Sequence, residues 1–246
     1  MKWVSTSEAS FWATRTKITA ILPSGQEKSY FAKVYHVPRA LAIARGEFKS
    51  TNHLHAVLSS NVPRAVGYGT CAVDPERAFF IAEFRSMRDE LPSADQLVGL
   101  VTKIHQVVSP SGKFGYPYTT FTGKHAVENA WSDTWEEFFA RVMRDTMQTE
   151  LGVHGPDPEL EELSEKILAR VIPRLIRPME TEGRSIKPVL VHGDLWHGNV
   201  SVDNETGEPV LYDPCCFYGH YECKCTCVKS TPRIILRMLV TGAVVR

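Results

Sequence analysis

His192-Gly193-Asp194-Leu195-Trp196-His197-Gly198-Asn199, followed by Leu211-Tyr212-Asp213-Pro214, sets an Asp, an Asn five positions later and a second Asp fourteen positions beyond that. Pro188-Val189-Leu190-Val191 reads as a short buried strand that delivers the first segment. Asn199-Val200-Ser201-Val202 and Pro209-Val210-Leu211-Tyr212 read as a hairpin around the polar turn Asp203-Asn204-Glu205-Thr206-Gly207. Such a hairpin carries Asn199 and Asp213 to the same end of two paired strands. The spacing H-x-D-x-x-x-x-N with a later strand-end Asp suits phosphoryl transfer. That chemistry needs a carboxylate to orient and deprotonate an attacking hydroxyl, which suits Asp194. It also needs hard oxygen donors for Mg²⁺, which suits Asn199 and Asp213. An isolated H-G-D is a common turn and Asp-Pro an ordinary strand end. It is their combination at one end of a hairpin that points to a site.

A second pattern lies upstream. Ala13 to Leu22 is β-like, Pro23-Ser24-Gly25-Gln26 a turn, and Ser29 to Tyr35 a second strand with Lys33 among apolar residues. Arg39 to Leu58 turns helical, with Leu41, Phe48, Leu54 and Leu58 near one face. Strands follow at Ala65–Tyr68 and Ala78–Phe84, around a turn at Asp74-Pro75-Glu76. A strand Lys followed by a helix Glu, Lys33 and Glu47, matches a pair in which the Lys reaches nucleotide phosphates and the Glu orients it. Taken singly, each reads as an ordinary solvated residue. Their order, strand Lys, helix Glu, linker, helical region, H-x-D-x₄-N and then Asp, is harder to obtain by chance.

The polar segment Arg85 to Pro92 reads as a connector without regular structure. Beyond it, Ser93-Ala94-Asp95 caps a helix to about Val108, and Ser109-Pro110-Ser111-Gly112 ends it. Lys113 to Gly123 is a loop rich in Gly, Pro and aromatics. Ser132-Asp133 opens a helix with Trp135, Phe138, Phe139, Val142 and Met143 on its apolar side. Asp157-Pro158-Glu159 starts another, through Ile167 and Val171, interrupted at Pro173.

The 28 basic and 28 acidic residues among 246 balance, which argues against electrostatic capture of nucleic acid or a membrane surface. Met1-Lys2-Trp3-Val4 leads at once into polar residues, so no secretory apolar segment is expected at the start. The apolar stretch Ile234 to Val240 is short and broken by Arg237, so no membrane span is expected and the cytoplasm is the default location. Cys223, Cys225 and Cys227 follow a C-x-C-x-C spacing that does not match the paired C-x₂-C of zinc sites.

Together these residues make the chain recognisable. It resembles the fructosamine/ketosamine-3-kinase family, of the protein-ribulosamine 3-kinase type and in its fungal form, within the kinase-like superfold shared with aminoglycoside and choline kinases. The resemblance rests on Ser29-Tyr30-Phe31-Ala32-Lys33-Val34, Gly46-Glu47-Phe48, Ser109 to Gly115, Trp131 with Trp135 to Phe139, His192 to Trp196 with Gly198-Asn199, Asp213-Pro214, and Phe217-Tyr218-Gly219-His220. It runs from about Phe11 to Glu222.

The resemblance implies an α+β, two-lobed protein-kinase-like fold. Residues 1–84 form a small antiparallel-sheet lobe, 85–92 the hinge, and 93–222 a mainly helical lobe. It implies ATP-dependent phosphorylation of the 3-hydroxyl of ketosamines, free or on protein lysines, as a deglycating repair reaction with ATP and Mg²⁺. Carried over residue by residue, Asp194 is the catalytic base and Asn199 and Asp213 hold Mg²⁺. Lys33, paired with Glu47, contacts phosphate, and Glu83 and Phe84 receive adenine through backbone groups. Trp196 is offered as a sugar platform or as packing, and His220 as a support for Asp213 or for the substrate region. His192 reads as a structural hydrogen-bonder. Other readings are a related small-molecule kinase for aminoglycoside or choline-like hydroxyls, and a non-catalytic kinase-like fragment.

Two departures are expected. Ser5-Thr6-Ser7-Glu8-Ala9-Ser10 stands where the family has a strand and phosphate-covering loop, with no G-x-G-x-x-G. From Cys223 the text changes to a basic, apolar tail, 223–246, read as foreign to the fold, so that the family's C-terminal helices would be missing.

Overall fold

A computed structural model describes residues 7–9 and 12–222. The tail from Cys223 lies outside the described residues. So does most of the serine-rich start, of which only Ser7–Ala9 is described, as strand β1. That strand is short, and pairs Ser7 with Thr16 through Ala9 with Thr14 on β2 (Ala13–Ile21). β2 runs antiparallel to β3 (Glu27–Tyr35) over its full length, Ala13 facing Tyr35 and Ile21 facing Glu27.

Helix α1 (Ala40–Val57) follows, then β4 (Ala65–Cys71) and β5 (Asp74–Glu83), giving a five-stranded sheet in the order β1-β2-β3-β5-β4. The turn expected at Asp74-Pro75-Glu76 falls instead at Ala72-Val73, since Asp74 already pairs with Cys71. Pro75, lacking an N–H, fits the outer start of a strand rather than its centre. Leu41 does not share the buried face either; it is 45% exposed, and Ala40, Ile43, Ala44, Gly46, Ser50, Thr51 and Leu54 are buried. The helix lies between two cores. Phe48 packs on the sheet-side core with Tyr35, Ile43 and Phe80, whereas Leu54 and Leu58 belong to the core of the second lobe.

The supposed connector contains β6 (Met87–Arg88), which pairs with the strand Val200–Asp203, Val202 facing Arg88 and Asp203 facing Met87. A two-residue strand leaves no periodicity to read. α2 (Ala94–His105) starts with a full capping box between Ser93 and Gln96. It stops three residues before the expected Val108, because Val107 accepts from the Leu190 N–H and Val108 bridges to Val189. The aromatic loop then forms a small hairpin, β7 (Phe121–Thr122) with β8 (His125–Ala126).

α3 (Trp135–His154) is capped by Thr134, not by Ser132-Asp133, because Ser132 is engaged in a two-way backbone bridge with Phe114. α4 (Pro158–Lys166) opens on Asp157 with Pro at its first turn. A π-turn at Ile167–Val171 precedes α5 (Ile172–Ile176), so the helix is deformed just ahead of Pro173, whose missing N–H breaks the regular ladder. β9 (Val189–Val191), β10 (Val200–Asp203), β11 (Pro209–Leu211) and β12 (Phe217–Gly219) complete the described chain, paired β9–β12 and β10–β11. The architecture is a sheet-rich small lobe and a larger, mainly helical lobe.

Candidate active site

Buried β9 ends at Val191, and the chain turns sharply just beyond it, at His192-Gly193. Gly193 has φ 80, and a Cβ there would sit 1.8 Å from the Cys215 carbonyl oxygen, so the close crossing of the two segments requires glycine. His192 is buried and bonds on both sides of its ring. Its Nε2 lies 3.1 Å from the Tyr212 carbonyl oxygen, and its Nδ1 accepts from the Asp194 N–H at 3.3 Å. A carbonyl only accepts and an amide N–H only donates, so Nε2 serves as the donor and Nδ1 as the acceptor. This is the structural role expected of His192.

Asn199 folds back onto the same loop. Its Nδ2 donates to the Asp194 carbonyl oxygen at 2.7 Å and to the Asp194 carboxylate Oδ2 at 3.0 Å. With the donor end so committed, the planar amide turns Oδ1 the other way. The Tyr212 N–H donates to the Asn199 carbonyl at 3.1 Å, and this last rung of the hairpin sets Asp213 beside Asn199. Asp213 itself has φ 54, a left-handed conformation that Asp tolerates better than most residues and that often marks functional turns.

Lys33 closes the site from the other lobe. It is 8% exposed on β3, and its Nζ lies 2.8 Å from Glu47 Oε1 on α1 and 2.5 Å from Asp213 Oδ1. The Tyr35 hydroxyl donates to the other oxygen of Glu47, Oε2. Burial alone would lower the Lys33 pKa, but Asp213 and Glu47 more than offset it, and the ammonium is held above its ordinary value. One cation serves two carboxylates, and they fare differently. Burial pushes Glu47 up to about 7, opposed by Lys33 and reinforced by Asp213. For Asp213 burial also raises the pKa, but Lys33 outweighs it and the group stays below its ordinary value. Geometry agrees: Asp213 has the shorter contact and a third of its side chain exposed, against a tenth for Lys33 and Glu47. The open edge of the cluster is therefore at Asp213.

The helix bearing Glu47 is pressed tightly into place. A Cβ on Gly46 would lie 2.7 Å from the Thr119 carbonyl oxygen, so the aromatic loop lies directly against α1. Asn129 holds that loop by donating to the Tyr118 carbonyl and to Thr120 Oγ1 at 3.0 and 2.9 Å. His53 of α1 meets the Tyr116 hydroxyl at 2.9 Å.

The remaining sequence-derived residues are less concentrated. The Glu83 N–H donates to the Arg64 carbonyl at 2.9 Å and the Phe84 N–H to the Ser29 carbonyl at 3.4 Å, so both donors at the hinge are engaged in the sheet. Trp196 is 38% exposed and stands edge-on to His197, near Gly198. His220 is not drawn to Asp213. It is buried beside Trp135 and Tyr221 and lines two cavities of about 530 and 820 Å³ on the helical side of the lobe. Burial pushes its pKa down, with Glu222 and Glu180 opposing. The contacts that Tyr35 and Gly46 make around Glu47 were not anticipated from the sequence. The available signals were the i, i+2 spacing of Lys33 and Tyr35 on one strand face, and a glycine inside a helix beside the key Glu.

Among the described residues, no three or more His, Cys, Asp and Glu side chains group as a metal cage. The Asp213 carboxylate and Asn199 Oδ1 offer two hard oxygens beside an open edge. That donor set fits Mg²⁺, which keeps waters and takes phosphate oxygens rather than a full protein cage.

The fructosamine kinase family profile matches residues 14–232, which includes both halves of the site and runs past Glu222. A ribulosamine 3-kinase, described as a chloroplastic protein of Oryza sativa subsp. indica, is 29% identical over 145 residues, 59% of this chain and 40% of that protein. Ketosamine-3-kinase of Mus musculus is 36% identical over 110 residues, 45% of this chain and 33% of that protein. The matched segments thus span only 40% and 33% of the lengths of these two relatives. A Haemophilus somnus crystal structure assigned as a fructosamine-3-kinase superposes with TM-score 0.66 at 19% identity, over 90% of this chain and 70% of the other. A thermostable mutant of aminoglycoside phosphotransferase APH(4)-Ia, with AMP-PNP and hygromycin B bound, gives TM-score 0.58 at 14% identity, over 89% and 68%. These two structures share the two-lobed kinase-like fold.

Proposed function

The chain belongs to the fructosamine kinase family, and from that premise we propose that it transfers the γ-phosphoryl group of ATP to the 3-hydroxyl of ketosamines, free or on protein lysines. The observation that carries this reading is the joining of Lys33, Glu47 and Asp213 across the lobes, beside the loop where Asn199 orients Asp194. Asp194 would accept the proton of the attacking hydroxyl as the new O–P bond forms and the bond to ADP breaks. Asn199 anchors the Asp194 carboxylate through Oδ2. Lys33 would hold nucleotide phosphate oxygens while Glu47 keeps it in place. Mg²⁺, held by Asp213 and Asn199 Oδ1, would supply charge neutralisation on the phosphates. Trp196, partly exposed within the loop, would stack on the sugar face.

Phosphorylation at O3 makes the sugar adduct prone to spontaneous loss, so the reaction would free the amine and reverse glycation. A cytoplasmic setting belongs to the same proposal, supported by Cys71 and Cys216 standing as thiols. Among the described residues no helix is long and apolar enough to cross a membrane.

The test is incubation with MgATP and either fructosyl-lysine or ribulosyl-lysine, with the product located by mass spectrometry and phosphorus NMR. Phosphate on O3 is expected for at least one substrate. Transfer to an aminoglycoside and to neither ketosamine would refute the proposal.

A further inference from the structure

Lys33 and Tyr35 lie two residues apart on β3, so the pleat turns both toward one face, and both reach Glu47. Lys33 Nζ takes Oε1 at 2.8 Å and the Tyr35 hydroxyl takes Oε2. Each carboxylate oxygen therefore has its own donor. The Tyr35 ring is 3% exposed and packs in the sheet-side core with Ile43, Ala44 and Phe80, so its hydroxyl is held by the fold and not by the ligand cleft.

This second anchor matters because Lys33 is shared. Its ammonium already divides between Glu47 and Asp213, and a nucleotide phosphate would make a third claim on it. A carboxylate held at one oxygen only can rotate about its terminal bond and follow the ammonium as it shifts. Held at both, it cannot rotate without breaking a hydrogen bond. We infer that Tyr35 is a positioning residue which, by holding Glu47 Oε2, keeps Lys33 aimed at the nucleotide phosphates. The inference rests on the kinase reading above and adds to it a residue outside the H-x-D-x₄-N, Asp and Lys–Glu set.

A buried tyrosine hydroxyl needs a partner for stability alone, so the test must separate positioning from packing. The full chain is compared as wild type, Tyr35→Phe, Glu47→Gln and the double variant. ATP with Mg²⁺ is titrated by calorimetry, and KM for ATP and for the ketosamine is measured separately. Tyr35→Phe keeps the buried ring. It should weaken ATP binding and raise KM for ATP by about tenfold, the scale of one hydrogen bond to a charged group, with KM for the ketosamine unchanged. In the Glu47→Gln background the same change should add less than about twofold, because its route of action is already cut.

Losses that multiply across the two backgrounds would overturn the inference. So would an equal rise in both KM values, or a Tyr35→Phe protein too unstable to assay, since each makes the hydroxyl a stability element. If wild type binds no ATP, the kinase reading fails and takes this inference with it. If wild type binds ATP and the cycle is additive, only the inference fails.

Discussion

The two halves of the site are assembled over very different chain distances. Asp194 and Asn199 are five residues apart, and Asn199 ties itself to the Asp194 carbonyl and carboxylate within one loop. Lys33, Glu47 and Asp213 come from a strand, a helix and a hairpin end, with 180 residues between Lys33 and Asp213. The first half depends on local turn geometry, including a glycine that nothing larger can replace. The second depends on how the two lobes sit against each other. Damage to the local half should stop chemistry and leave the protein standing. Damage to the long-range half should cost both nucleotide handling and stability.

Asp194→Ala is the sharpest probe of the local half. It should lower kcat by on the order of 10³-fold, the scale of a lost general base, with a melting temperature close to wild type. A large drop in melting temperature would blur the distinction between the halves. Lys33→Met probes the other half by removing the ammonium that bridges Glu47 and Asp213. It should reduce kcat/KM for ATP by about 10²-fold. It should also destabilise the chain by roughly 2 kcal/mol, less than for a fully buried pair because Asp213 is a third exposed. Denaturant midpoints and steady-state kinetics measure the two effects on the same sample.

Gly46→Ala tests the same half without touching a charge. The added methyl meets the Thr119 carbonyl at 2.7 Å, so α1 or the aromatic loop must shift. A cost of about 1–2 kcal/mol and a several-fold rise in KM for ATP are expected, with KM for the ketosamine little changed. Unchanged ATP kinetics would mean that α1 tolerates displacement and that the loop does not hold Glu47.

The smallest effect lies outside both halves. His105 on α2 is buried, and burial, with His220 adding to it, pushes its pKa down to about 4. A histidine whose folded pKa is depressed binds its proton in the unfolded chain first. Its contribution is therefore fully present above about 6.5 and is lost as pH falls toward 4. Stability should drop progressively as pH falls through that window, and His105→Leu should flatten the slope. An equal slope in that variant would move the acid sensitivity elsewhere.

Much of the local half was legible in the sequence, because turn and strand signals sit within a few residues of Asp194 and Asn199. The long-range half was legible only as an order of elements. Lys33 and Glu47 carry no mark that distinguishes them from solvated residues until Asp213 is placed beside them. Tyr35 was hidden because an aromatic at that position of a strand already has a packing role. The start of α3 was misplaced since Ser132, a good cap by composition, is drawn into a bridge with Phe114 eighteen residues back. Leu41 was grouped on one face with Phe48, Leu54 and Leu58 because α1 touches two cores at once, which blurs a single apolar stripe. Met87–Arg88 became a strand through its partner on β10 and not through its own pattern.

We propose that these two halves form one phosphoryl-transfer site for ketosamines. Its most direct test is the phosphorylation of fructosyl-lysine and ribulosyl-lysine by MgATP, run in parallel with wild type and Asp194→Ala. Wild type should place one phosphoryl group on the sugar O3, and Asp194→Ala, which should still bind ATP, essentially none. Transfer that persists in Asp194→Ala, or none by a wild-type protein that binds ATP, would contradict it.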